Sequence, residues 1–107
     1  MIAAFRALAP AITLMLFVGG SVYAKGGPAV SIKDEAFHPA SIQVRTGDAV
    51  KFTNNDGEEH TVTADNNSFD SNILTAGNGF QHKFTKAGRY SYHCKIHPFM
   101  HGVIIVK

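Results

Sequence analysis

From Lys25 to the C-terminus the apolar residues recur at every second position in short runs, and never with the three-and-four spacing of a helix. Successive side chains on a strand point to opposite faces, so each run can bury one face and wet the other. Val30 and Ile32 alternate in this way, as do Ile42 and Val44, then Val50 and Phe52. Turn residues punctuate the runs at Gly47-Asp48, at Asn54-Asn55-Asp56-Gly57 and at Ala87-Gly88. Thr61 to Thr63, Phe80 to Phe84 and Arg89 to Cys94 read as further strands, whereas Val103 to Val106 is continuously apolar and predicts a central strand buried on both faces. Asp65 to Gly79, rich in Asn, Ser and Gly, predicts a loop with one short strand around Phe69 to Leu74. The pattern defines an all-β chain of about seven to eight strands closed as a sandwich or barrel. An immunoglobulin-type sandwich requires two cysteines around a tryptophan, and this chain has one cysteine and no tryptophan.

The first 24 residues stand outside that pattern. Arg6 supplies a positive start, Ala7 to Val18 is apolar apart from Pro10 and Thr13, and Val22-Tyr23-Ala24 offers a small-residue cleavage site. Residues 1–24 are therefore expected to be a cleaved export signal, leaving residues 25–107 as one domain in the periplasm. Glycines 19 and 20 interrupt the uncharged run, which barely reaches the length of a spanning helix, so no stable membrane insertion is expected. A net charge of +2 without clustered Lys and Arg excludes a nucleic-acid surface. Export also sharpens the position of Cys94. An exported thiol without a disulfide partner must be buried, capped by a metal or used in chemistry.

Four metal-binding side chains stand close to one another or share a face. Tyr90, Tyr92 and Cys94 have one parity on their strand, so the Cys94 thiol points into the core while His93 points out. His60 shares parity with Val62, opposite Thr61 and Thr63, and points inward just after a turn. Cys94, His97 and Met100 follow at steps of three, which lets the loop fold back over the same pole. Two imidazoles, one thiolate and one thioether form the set that binds copper as a trigonal His₂Cys site with a long axial Met. Zinc sites use closed Cys/His sets without the thioether. His60, Cys94, His97 and Met100 are thus the expected ligands of one copper ion.

The segment Cys94-Lys95-Ile96-His97-Pro98-Phe99-Met100 resembles the ligand loop of the cupredoxins, the small blue-copper electron carriers. Its Cys-x-x-His-x-x-Met spacing is most similar to the amicyanin branch, beside plastocyanin and pseudoazurin, and the likeness extends over Val30 to Lys107. The resemblance implies a Greek-key β-sandwich, a mononuclear type 1 copper and single-electron shuttling between periplasmic redox partners. Those partners would be dehydrogenase-like or cytochrome-like proteins met transiently by a monomeric carrier that is not an enzyme. Two positions depart from the family pattern. Thr61 stands where the best-known members carry Asn to tie the two ligand loops together, and Ile96 stands where amicyanins carry Pro.

The same ligands would also serve a module that buffers or delivers copper, and Cys94 beside a His is the makeup of a thiol nucleophile. A copper nitrite reductase or oxidase needs further copper sites and a second domain. Of the other histidines, His82 shares parity with Phe80 and Phe84 and is expected to be partly buried and structural; His38, His93 and His101 carry no assignment. Glu58 and Glu59 read as a solvated turn, or as an acidic spot facing a partner. Pro98 and Phe99 would frame the His97 edge with a small apolar contact, of the size that transient redox encounters use.

Overall fold

The computed structural model describes residues 27–107, so the expected signal, residues 1–24, lies outside the described residues. Alternation fixes the architecture. Eight strands form: β1 (Ala29–Lys33), β2 (Ala36–His38), β3 (Ser41–Val44), β4 (Ala49–Asn54), β5 (Thr63–Ala64), β6 (Gly79–Lys83), β7 (Gly88–His93) and β8 (His101–Val106). They pair into two four-stranded sheets, in the order β2-β1-β4-β6 and β3-β8-β7-β5. The inward residues of both sheets interdigitate: Val30, Ile32 and Phe52 from the first sheet are buried against Val44, Tyr92 and Ile104 from the second. No described residue is helical, as the missing helical stripe predicts.

Three elements differ from expectation. β2 is missed because three residues show too little alternation to register; it exists as the return limb of a hairpin on β1. The predicted strand at 69–74 reduces to two isolated antiparallel bridges, His60 with Leu74 and Thr63 with Asp70, and β5 to two residues. Asn66, Asn67, Asn72 and their neighbours satisfy backbone groups locally, so this stretch closes through turns. β8 is central in its sheet, between β3 and β7, yet only Ile104 and Val106 are fully buried and Val103 and Ile105 keep part of their surface wet. Around β8 the outer face of that sheet is thus only partly covered.

The β7–β8 ladder positions the site. Tyr92 pairs with Gly102 and His93 with His101, so the loop 94–100 leaves one end of the ladder and returns to it. At Gly102 a side chain would collide with the Tyr92 ring, which lies flat across the strand at that point. The β1–β2 hairpin reaches the same pole. Its turn residues Asp34 and Glu35 both have φ of 54°, left-handed values that match the twist of a hairpin but are uncommon without glycine. The Asp56 carboxylate accepts the Glu35 N–H at 3.1 Å and holds that turn.

Candidate metal centre

Strand parity for His60 and the three-residue step for His97 bring both imidazoles to the Cys94 sulfur. Cys94 Sγ lies 3.8 Å from Nδ1 of His60 and 3.8 Å from Nδ1 of His97. The three donor atoms lie within 4.8 Å of one another. Metal–sulfur bonds of about 2.3 Å and metal–nitrogen bonds of about 2.0–2.1 Å give an S···N separation near 3.8 Å at 120° and near 3.6 Å at the tetrahedral angle. The observed spacing suits a trigonal plane. His60 and Cys94 have no exposed surface. Met100 is buried beside them, its carbonyl accepting the Cys94 N–H at 3.2 Å and its N–H donating to the His97 carbonyl at 2.9 Å. These two bonds fold the three-residue steps into a compact loop.

Carboxylates orient both rings. Nε2 of His60 is 2.9 Å from Asp56 Oδ2, and Nε2 of His97 is 3.2 Å from Glu58 Oε1 and 3.8 Å from Glu35 Oε2. A proton on each Nε2 donates outward, which leaves the Nδ1 lone pairs aimed at the space beside the sulfur. Electrostatics prepare the site further. Burial works against charge on His60, but Asp56 and Cys94 outweigh it and raise its pKa. Burial likewise raises that of Cys94, while the Thr61 N–H and the two imidazoles outweigh it and bring the thiol down to about 6. The sulfur is thus held as a thiolate near neutral pH, the form that binds soft metals. The Glu58 carboxylate raises the pKa of Glu35 beside it.

Sequence parity places His60 correctly but misreads its neighbours. Thr61 and Thr63 were expected on the outer face, yet both are buried, because the 65–74 loop and the chain at Lys95 cover that side of the sheet. The Thr61 N–H donates to Cys94 Sγ at 3.3 Å, and its hydroxyl accepts the Lys95 N–H at 2.8 Å. The threonine therefore spans the two ligand segments. Asp56 and Glu35 are site residues that the sequence did not single out. Asp56 stands four residues before His60 across a tight turn, which is a legible signal; Glu35 arrives from a distant hairpin and has none. Of the expected acidic turn, Glu58 reaches His97. His82 is half-buried and packs ring to ring, 4.7 Å from Phe69 and 4.8 Å from Phe84. His93 Nδ1 meets Asp65 Oδ1 at 2.6 Å, and His38 Nε2 meets the Lys33 carbonyl at 3.0 Å; neither belongs to the cluster of His60, Cys94 and His97.

An all-β sandwich carrying a thiolate, two imidazoles and a thioether at one pole defines the blue-copper class. A family model described as a cupredoxin-like domain matches residues 7–106, and the chain belongs to that family. Amicyanin of Paracoccus denitrificans is 28% identical over 89 residues, covering 78% of this chain and 68% of the relative. A purple cupredoxin from Nitrosopumilus maritimus superposes with a TM-score of 0.71 at 26% identity, over 75% of this chain and 99% of the other. An amicyanin variant solved in its Cu(I) form gives 0.72 at 28% identity, over 78% of this chain and 85% of the other. The cofactor is copper, one ion per chain, and the donor set present fits it.

Proposed function

We propose that the protein is a periplasmic blue-copper electron carrier whose copper ligands are His60, Cys94, His97 and Met100. The observation that carries this reading is the donor geometry: one buried thiolate facing two Nδ1 atoms at 3.8 Å each, with a buried methionine closing the loop. Bound copper supplies a one-electron Cu(I)/Cu(II) couple.

The chain's own residues do the rest. Asp56 and Glu58 fix the tautomers of His60 and His97, so neither ring must turn when the electron count changes. The sandwich excludes water from Cys94 and His60. His97 keeps some exposed surface, and the Phe99 ring lies edge-on to it at 5.8 Å and is 65% exposed. That pole is the natural contact for a transient redox partner of the dehydrogenase or cytochrome type, with Ile96 and Ile73 exposed alongside. Burial of His60, Cys94 and Met100 favours carriage over delivery, since handing the ion on would require their exposure. The same burial argues against a nucleophile, because a thiol without exposed surface meets no substrate. Export rests on residues 1–24 as a cleaved signal, with residues 25–107 as the mature domain.

Spectroelectrochemistry of the copper-loaded protein tests the reading. A reversible one-electron couple with fast self-exchange supports it, whereas a protein that is colourless and retains zinc in preference to copper refutes it. Fractionation of cells with N-terminal sequencing of the mature chain tests export and cleavage after Ala24.

A further inference from the structure

A hydrogen-bonded ring lies beside the ligand loop and runs through residues outside the proposed copper ligands. The Lys95 N–H donates to Thr61 Oγ1 at 2.8 Å. Thr61 Oγ1 lies 2.9 Å from Thr63 Oγ1, and Thr63 Oγ1 lies 3.1 Å from Asp70 Oδ1. The Lys95 ammonium returns to Asp70 Oδ2 at 2.6 Å. Lys95 is therefore held at both ends, its backbone by the hydroxyls and its side chain by the carboxylate.

Donor counting fixes the direction of every bond. A peptide N–H only donates, and an ionised carboxylate only accepts. Thr63 must spend its single proton on Asp70, so Thr61 must donate to Thr63, which leaves Thr61 Oγ1 to accept from Lys95. All the dipoles then point toward one negative charge, and each bond polarises the next. Both threonines are buried, so water does not compete for the middle of the chain. The Asn72 N–H donates to the same Asp70 Oδ1 at 2.9 Å and adds a second anchor to the carboxylate. Asp70 is held ionised: the Lys95 ammonium beside it, helped by the Asn72 and Thr63 hydrogen bonds, outweighs burial and keeps its carboxyl below the usual range.

The far end of this chain is the sulfur. Lys95 follows Cys94 directly, and Thr61 carries the N–H that meets Cys94 Sγ at 3.3 Å. Drawing the Lys95 peptide onto the Thr61 side chain keeps the Thr61 backbone on the thiolate. Hydrogen bonding to the cysteine sulfur is one of the terms that sets the potential of a blue-copper site, since it withdraws charge from the ligand and favours the electron-rich reduced state. Building on the proposed copper ligands, we infer that Asp70 and Thr63 are positioning residues. Through Thr61 they hold the Cys94–Lys95 peptide and the N–H···S bond, and so raise the reduction potential from outside the ligand set. The residue that replaces the family's asparagine is on this account one link of a longer device whose terminus is a carboxylate on the 65–74 loop.

The test compares copper-loaded wild type with Asp70→Ala, Thr63→Val and the double variant, reading midpoint potential and exchange of the Lys95 amide by NMR. Thr63→Val replaces the hydroxyl by a methyl of the same shape and decides the matter should Asp70→Ala fold poorly. Each single variant is expected to exchange the Lys95 amide about tenfold faster. Each should also shift the electron-exchange equilibrium toward the oxidised form by about tenfold, about 59 mV downward for one electron. The double variant should match the singles, because both break one chain. Lys95→Met, which keeps the hydroxyl chain and removes only the ammonium, should show the smaller shift. Unchanged potential and amide exchange in a Thr63→Val protein that binds copper reversibly overturns the inference alone. A wild-type protein with no reversible couple overturns the copper reading instead, and the two failures are distinct.

Discussion

Replacing Gly102 by alanine tests how the strand pair holds the ligand loop. A Cβ at 102 would stand 2.8 Å from Cε1 of Tyr92, with Cζ and the hydroxyl oxygen nearer still. Ordinary contact begins near 3.4 Å, so the ring must shift by roughly 1 Å. It has no room to do so. Tyr92 has no exposed surface, and Phe37 and Phe52 meet it edge-on at 4.7 and 5.4 Å between ring centres. Gly102 does not have a positive φ, so the backbone accepts alanine and the whole penalty is steric. Overpacking of this kind costs about 1–3 kcal/mol. The rigid aromatic neighbours place this site at the upper end, about 3 kcal/mol, or a loss of about 12–24 °C in Tm for a domain of this size. Urea unfolding of the metal-free protein, followed by circular dichroism, measures it. Tyr92 lies two residues before Cys94 and Gly102 two after Met100, so the copper-loaded variant should also show an altered visible spectrum. Pairing Gly102→Ala with Tyr92→Val should cost clearly less than the sum of the two single changes, because the smaller side chain vacates the space. A Gly102→Ala protein within 1 kcal/mol of wild type, or full additivity in the pair, refutes the reasoning.

Other perturbations follow from the same geometry. Asp56→Asn removes the carboxylate from Nε2 of His60 and should weaken copper binding about 10–100-fold in a competition titration against a chelator. Met100→Ala should retain copper but move the midpoint potential and the visible spectrum, since the axial ligand tunes both. Burial lowers the pKa of His82 in the folded state, so unfolded chains take up the proton first as pH falls below about 6.5. Its contribution to stability is complete above that pH and is lost on acidification, and His82→Phe should be less acid-sensitive than wild type between about pH 7 and pH 5 in parallel urea titrations.

Period-two alternation made most of the fold legible, because a sandwich with two solvated outer faces must alternate along each strand that carries its core. The same parity put His60 and Cys94 on one side of the sheets, and the three-residue steps brought His97 to them. Parity fails where loops cover an outer face. Thr61 and Thr63 are buried by the 65–74 segment, whose irregular polar sequence carries no period to reveal that packing. Val103 and Ile105 fail in the opposite sense: an apolar run implies cover on both faces, and here one face is only shaded. Glu35 reaches His97 through a left-handed hairpin turn without glycine, a conformation that no local residue type announces.

Copper-edge X-ray absorption of the loaded protein measures the first shell directly. One sulfur at about 2.2–2.3 Å and two nitrogens near 2.0 Å are expected around the copper, with the short sulfur lost in Cys94→Ser. A first shell of nitrogen and oxygen alone, unchanged by that substitution, would contradict it.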